Sequence, residues 1–365
     1  MIATPTGTIG KMRGILNGRA SSRANYAVLV ATFLAGIMVG SFVLQSPRQN
    51  VDHTLQTAPV LAQEEDDSPP PCDRSSSSSS SRAATSPGAV GGWRDALGGK
   101  QIKPSAGRKS KLADGCWGVY LDVGSNIGVQ VRKLFEGERY PEALVRPYFE
   151  RHFGSHSERR QPGRVCAFGF EANPTRVKRL RALESCYNSL GWRVQFITPR
   201  AVLNSDDETI ELLLDDSSLN DGQHLAASMF ENVWTNKSDV HKVATMHLGK
   251  FIMEEIAGRL LPAGYTEPGP VFAKIDIEGA EYQTFGGLIT SGALCEVQEA
   301  SVEFHPSFIP AGKRKDTFFA LQRMVENLAK MPECYTGCKT MKMNALDDET
   351  YLRDGMSPPD KCAPF

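Results

Sequence analysis

The chain has 365 residues, 41% of them hydrophobic and 33 of them glycine, which is enough to bury a substantial core in one large domain or two small ones. Its 41 basic and 42 acidic side chains nearly cancel, so no net field draws it toward nucleic acid or an anionic membrane surface. The composition excludes a chain that is disordered throughout, and partners have to be read from local features.

The first such feature is the uncharged stretch from Tyr26 to Gln45, YAVLVATFLAGIMVGSFVLQ. As a helix rising roughly 1.5 Å per residue it spans about 30 Å, one bilayer. Lys11, Arg13, Arg19 and Arg23 precede it without a single acid, whereas Glu64, Glu65, Asp66 and Asp67 follow it. The basic flank is therefore expected to stay cytoplasmic, giving a type II signal anchor with the rest of the chain in the lumen of the ER or Golgi. A cleaved signal peptide has a shorter apolar core and a transit peptide is amphipathic, so a retained single helix fits better than either. From about residue 46 to 111 the chain reads as a stalk, with Pro69 to Pro71, an unbroken run from Ser75 to Ser81, and Gly91 and Gly92. Such a segment has too little apolar surface to offset its ordering entropy, and in a lumen it invites O-glycosylation. The expected division is a basic tail over 1–25, an anchor over 26–45, a stalk over 46–111 and a folded domain over 112–365.

All eight cysteines follow the anchor, and an even number in an oxidising compartment permits disulfides. Cys334 and Cys338 are close enough to pair, whereas Cys166, in an apolar strand-like run, reads as a buried free thiol. A zinc site needs two close ligand pairs and the chain offers one, so no cysteine-bound metal is expected.

From Leu112 onward short apolar runs alternate with helical ones, the pattern of a parallel sheet with crossover helices. The first strand is predicted at Val119 to Val123, followed by a helix from about Ile127. A second strand runs from Val165 to Phe170, and a helix starts at Pro174 with Asn173 as its N-cap. The third strand covers Val194 to Ile197. Leu248, Phe251, Ile252 and Ile256 repeat at helical spacing; then come a fourth strand at Val271 to Ile277, a helix from Ala280, and a fifth strand at Ala300 to Phe304.

Three motifs sit at predicted strand ends, where open α/β sheets bind ligands. The first strand runs into Asp122-Val123-Gly124-Ser125-Asn126-Ile127-Gly128. Gly124 can adopt positive φ and let the backbone approach a ligand, and Gly128 lets the next helix pack closely. The spacing G-x-x-x-G departs from the dinucleotide fingerprint. The second strand ends in Glu171, a carboxylate able to accept two hydrogen bonds from ribose hydroxyls. The fourth ends in Lys274-Ile275-Asp276-Ile277-Glu278-Gly279-Ala280-Glu281. Strand alternation puts Lys274, Asp276 and Glu278 on one face, where three ionisable groups are costly unless paired or functional.

Together the DVGSNIG turn, the FGFEANP strand end, the AVLNSDDETIEL segment and the KIDIEGAEYQTFGGL block resemble the FkbM family of methyltransferases, in the same order, over Val119 to His305. The resemblance implies a Rossmann-like class I methyltransferase sheet with helices on both faces, S-adenosylmethionine as cofactor, and methyl transfer to a hydroxyl of a sugar, glycan or small natural product. It also implies that Asp122, Gly124, Asn126 and Gly128 hold the methionine end and Glu171 the ribose. Nucleic acid is not among the expected partners. The chain departs from the family in three places. Between the glycine turn and Glu171 lies a long insertion containing Arg146, Arg151, His152, His156, Arg159, Arg160 and Arg164, which reads as a substrate lid or a solvated loop. Leu248-Gly249 stands where the family commonly has leucine followed by aspartate. The stretch from Ser217 to Pro270 is long and irregular.

An alcohol acceptor has to lose its proton as the new bond forms, which calls for a base. Asp276 and His305, the latter just past the fifth strand, are the candidates, with Glu278 beside them. No metal is assigned, although Asp276 and Glu278 would suit a divalent ion. Two other readings use the same features: a lumenal metal-dependent glycosyltransferase built on Asp276-Ile277-Glu278, and a glycan-binding relic of the fold. If the domain is lumenal, Asn236-Lys237-Ser238 is its one glycosylation acceptor, because Pro174 disqualifies Asn173.

Overall fold

The computed structural model describes residues 108–215, 227–231, 235–308, 313–330, 341–346, 348 and 362. The expected anchor, nearly all of the stalk, and Cys334 and Cys338 lie outside them. Among the described residues no helix is long and apolar enough to cross a membrane.

β1 (Gly118–Val123) is buried along its whole length, as a central strand covered on both faces must be. A turn leads to α1 (Val129–Phe135), then α2 (Arg146–Phe153), α3 (His156–Arg159) and β2 (Val165–Phe170). A single helical turn at Pro174–Arg176, capped by Asn173 accepting from the Thr175 amide at 2.9 Å, opens into α4 (Val177–Ser189). Next come β3 (Arg193–Ile197), β4 (Ala201–Leu203), β5 (Thr209–Asp215), β6 (Thr235–His247) and α5 (Leu248–Phe251), the last extended by a wider turn at Ile252–Ile256. The chain then forms β7 (Val271–Ile275), α6 (Glu281–Ser291), β8 (Glu299–Val302), α7 (Lys313–Leu328) and β9 (Lys342–Asn344).

Six strands form one sheet in the order β3-β2-β1-β7-β8-β9, every neighbouring pair parallel. The chain leaves β1 toward β2 on one side and later returns to β7 on the other, so the order reverses between β1 and β7. A crevice opens at such a switch point beyond the strand C-termini. Helices cover both faces. Phe149 of α2 meets Tyr120 edge-on with ring centroids 5.0 Å apart, and Phe251 of α5 meets Phe168 and Phe170 on the opposite face at 5.6 and 5.1 Å. A separate three-stranded sheet, β4-β6-β5, takes its middle strand, β6, from the stretch expected to be irregular.

Several boundaries move for local reasons. α1 starts at Val129 rather than Ile127, because Gly128 before it holds φ at 84°. β7 stops at Ile275, since Glu278 already lies in the left-handed region at φ 56° and the chain is turning into α6. β8 covers Glu299–Val302 rather than Ala300 to Phe304. At the start of the described residues the Arg108 guanidinium grips both carboxylate oxygens of Asp114, at 2.8 and 2.9 Å.

The basic insertion is neither a lid nor a solvated loop. Phe149 and Phe153 anchor α2 in the core, and Arg159, 2% exposed, donates to the carbonyls of Leu134 and Gly154, both at 2.5 Å. Arg160 reaches the Phe135 carbonyl at 2.6 Å and Glu138, while Arg164 stacks 3.9 Å over the Trp117 ring. Its cations are largely spent on closing helix ends and pairing with neighbouring acids, so the segment is a packed helical layer.

Cys166 is not a free thiol. The β1–β2 register sets Val119 against Cys166, which brings Cys116, just ahead of β1, to a Cα separation of 5.8 Å from Cys166, within disulfide reach, and the two are bonded. Cys186 of α4 pairs with Cys362 across 176 residues. Near that second bond, Asp348 is buried against α1, taking the Lys133 ammonium at 3.0 Å and the Val145 amide at 3.0 Å.

Candidate active site

The crevice at the switch point has two walls. The first is the glycine turn. Gly124 holds φ at 88°, and a Cβ there would stand 1.8 Å from the carbonyl oxygen of Asp276. The space a side chain would need is thus filled by the end of β7, so the missing side chain of Gly124 serves the seam between the two strand ends. Gly128, at φ 84°, faces Leu183 and Leu180 of α4, with 2.7 and 3.1 Å available to a Cβ, and this lets the turn seat against that helix. The amides of Gly124 and Ser125 both donate to the Phe170 carbonyl, at 3.0 and 2.9 Å, tying the turn to the end of β2.

Glu171 completes that wall. Its Oε2 accepts the Asn126 amide at 2.6 Å and its Oε1 the Asn173 amide at 2.7 Å. Burial raises its pKa, although these two amides and the charge of Arg176 oppose the rise. The carboxylate therefore shapes the turn first. Each oxygen keeps a second acceptor direction for a ligand donor.

Asp122 lies one strand inward, 0% exposed, in register with Lys274 of β7 and Gly169 of β2. The Ser125 hydroxyl donates to the Asp122 main-chain carbonyl at 2.9 Å, and neither carboxyl oxygen has a hydrogen-bond partner. Burial lifts its pKa from 3.8 to about 6, with the nearby Lys274 charge working against the rise. Asn126 Oδ1 and Asn173 Nδ2 are likewise buried without partners. Buried polar atoms are nearly always satisfied, so an acid, an acceptor and a donor left open around one turn fit a ligand that carries the complementary groups.

The second wall is a cluster of acids around one imidazole. The Asp276 amide donates to the Val123 carbonyl at 3.0 Å, and the Glu303 amide to the Ile275 carbonyl at 2.9 Å, so the ends of β1, β7 and β8 are stitched side by side. Lys274 and Asp276 form the pair that strand alternation permits, Nζ to Oδ2 at 2.6 Å. His305 Nε2 stands 3.7 Å from Asp276 Oδ1, 3.5 Å from Glu278 Oε2 and 3.2 Å from Glu303 Oε1. Its Nδ1 meets Glu281 Oε1 at 2.8 Å, and that oxygen also accepts the amides of Ile277 and Gly279 at 3.1 and 3.2 Å. Burial alone would lower the His305 pKa, but the hydrogen bonds to Glu281 and Glu303 and the charge of Glu278 carry it up to about 11. Burial, reinforced by Asp276, pushes Glu278 up to about 8. The imidazole thus holds its proton at neutral pH, which suits a fixed cation better than a base.

The structure brings together all eight residues singled out in the sequence. Asp122, Gly124, Asn126, Gly128 and Glu171 form one wall; Asp276, Glu278 and His305 form the other. Glu281, in the KIDIEGAE block, and Glu303, in the predicted fifth strand, carry no role in the sequence reading. Glu281 follows the turn after β7 and Glu303 follows a different strand, β8, so only the three-dimensional path shows that both reach His305.

The fold and the site define a doubly wound α/β protein with its ligand crevice at the switch point of a parallel sheet. The model of the Methyltransferase FkbM domain matches residues 122–331, more than half of the chain, and the chain belongs to that methyltransferase family. Nothing among the curated proteins and nothing among the solved structures matches it. The departure at position 249 has a steric reason here. A Cβ on Gly249 would lie 2.2 Å from Ser291 Oγ and 2.8 Å from the Gly287 carbonyl, so the packing of α5 on α6 leaves no room for the aspartate common in the family.

Proposed function

We propose that the protein is an S-adenosylmethionine-dependent O-methyltransferase acting on a hydroxyl of a sugar, glycan or small natural product, with its catalytic domain in an oxidising lumen. One observation carries the reading: a turn ringed by unpartnered polar atoms abuts a cluster of carboxylates, with only the missing Cβ of Gly124 between the turn and Asp276. Membership of the methyltransferase family supports the reaction type. The bonds Cys116–Cys166 and Cys186–Cys362, together with the charge asymmetry around the expected anchor, support the lumenal placement.

When bound, S-adenosylmethionine supplies a methyl group on a positive sulfonium, an excellent leaving group for in-line displacement. Asp122 and Asn126 Oδ1 offer acceptors for its ammonium, and the free acceptor directions of Glu171 suit its ribose hydroxyls. On the other wall Lys274 binds one oxygen of Asp276, which leaves Oδ1 to take the acceptor's proton as the bond forms. His305, charged and held at both ring nitrogens, fixes Glu278 and Glu303 around that position. The rest of the rate comes from positioning on rigid strand ends.

The test is calorimetry of the purified chain with S-adenosylmethionine, NAD and nucleotide sugars, followed by methyl transfer from labelled cofactor to a panel of hydroxylated acceptors. Asp276→Asn is expected to lower turnover by about 10² to 10⁴ with the Michaelis constant for the cofactor nearly unchanged. A chain that binds nucleotide sugar but not S-adenosylmethionine would instead be a glycosyltransferase.

A further inference from the structure

The acid cluster is also a site in its own right. We propose that Asp276, Glu278 and His305 bind one divalent cation of the class that accepts mixed nitrogen and oxygen ligands, for which Mn²⁺ is the probe.

Geometry is the first ground. One ligand atom from each of the three residues lies within 4.8 Å of the others. Ligands that share a cation at bond lengths of about 2.0 to 2.6 Å cannot be much further apart than twice that length. The separations of 3.7 and 3.5 Å from His305 Nε2 to the two carboxylates match adjacent positions around one ion, and Glu303 Oε1, at 3.2 Å, is close enough to join them.

The second ground is the orientation of the imidazole. Metal-binding histidines nearly always give their other ring nitrogen to a carboxylate, which fixes the tautomer and turns the free nitrogen to the ion. Glu281 does this at Nδ1, from a side chain that is 0% exposed and itself held by two backbone amides.

The third ground is an unmet demand for positive charge. Four carboxyl groups, those of Asp276, Glu278, Glu281 and Glu303, gather around the one imidazole of His305, and Lys274 pairs with Asp276 at 2.6 Å. Glu281 Oε2, on the same carboxyl that orients the imidazole, is buried with no hydrogen-bond donor. A buried carboxylate oxygen left open costs free energy that a nearby cation would recover. A divalent ion in place of the imidazole proton adds one further charge and a ligand-grade bond to each donor.

The ion reading stands without the methyl-transfer reading; only its role rests on that proposal, in which the ion would bind the acceptor hydroxyl and lower its pKa, with Asp276 Oδ1 then a ligand of the ion in place of the direct proton acceptor. The experiment is Mn²⁺ titration of the full-length chain followed by electron paramagnetic resonance, with S-adenosylmethionine binding measured in parallel. One Mn²⁺ per chain is expected, with pulsed spectra showing coupling to a single imidazole nitrogen that changes on ¹⁵N-histidine labelling. Glu281→Gln should weaken Mn²⁺ binding by about 10- to 100-fold through the loosened imidazole. Glu278→Gln should weaken it at least as much, while cofactor affinity stays near that of the parent. Absence of Mn²⁺ binding in the parent chain, or binding with oxygen-only couplings, overturns the proposal, and neither outcome depends on a variant that folds. Mn²⁺ bound as expected in a chain that ignores S-adenosylmethionine would refute the methyltransferase reading and leave the metal site standing.

Discussion

Asp122→Asn should stabilise the protein and impair its site at once. The carboxyl is fully buried, and neither oxygen has a donor. Its pKa rises from 3.8 to about 6, which by linkage makes the ionised form about 3 kcal/mol worse in the folded chain than in the unfolded one. The sign follows from proton counting. An acid with the higher pKa in the folded state binds more protons there between pH 4 and 6, so its contribution falls as pH rises through that window and is fully unfavourable above it. Asparagine has nearly the same shape and never ionises, and Lys274 keeps its partner in Asp276. Urea unfolding of the cofactor-free variant should therefore show a gain of about 1 to 3 kcal/mol at pH 7.5, shrinking toward zero near pH 4. Calorimetry on the same variant should show S-adenosylmethionine binding weakened by about tenfold or more, through the lost charge-assisted hydrogen bond. Equal stability of parent and variant at pH 7.5 would refute the reasoning, because it would mean that Lys274 already compensates the buried charge.

Glu171→Ala should destabilise the turn by about 1 to 3 kcal/mol for each of the two amides it strands, read from thermal unfolding with and without cofactor, and a turn unaffected by the change would leave Glu171 only a ligand role. Removing the Cys116–Cys166 bond by Cys116→Ser reopens a loop of 50 residues, and loop-closure entropy puts the loss at about 4 kcal/mol in denaturant unfolding. If the domain is lumenal, glycosidase treatment of the cell-expressed chain should increase its gel mobility and Asn236→Gln should abolish that shift; a shift that persists would place the glycan elsewhere.

The strands that build the crevice were legible because a central parallel strand is apolar on both faces. GVYLDV, VCAFGF and VFAKI are buried at every residue, and a short apolar run with a charged residue next to its C-terminal end, as Asp122, Glu171 and Asp276 stand here, announces both the strand and its functional end. The acids at those ends could be found by asking which charges interrupt an apolar run. Where burial is achieved by other means the pattern fails. Arg159, Arg160 and Arg164, at and just past the end of α3, bond to helix-end carbonyls, so residues that read as solvated are spent inside the layer. β6 is likewise obscure: Val243 is buried but Val240 is 41% exposed, and the strand lies in a small sheet away from the main core. The Cys116–Cys166 bond depends on the β1–β2 register, which spacing along the chain does not contain.

The two walls of the crevice are joined through Asp276. Its amide is bound to β1 through Val123, and its carbonyl occupies the volume that any side chain at position 124 would claim. The neighbouring Glu303 amide ties the third strand end to Ile275. The turn that would hold the cofactor and the carboxylate that would meet the acceptor are thus joined by direct backbone contact. Group transfer along a line tolerates little error in distance or angle, and a displacement of about 1 Å can cost on the order of 10² in rate. A parallel sheet, whose strand ends move together, supplies that precision. The same geometry explains why the acids gather where they do: the switch point leaves the ends of β1, β7 and β8 side by side, so charges placed just past them face the crevice rather than the core.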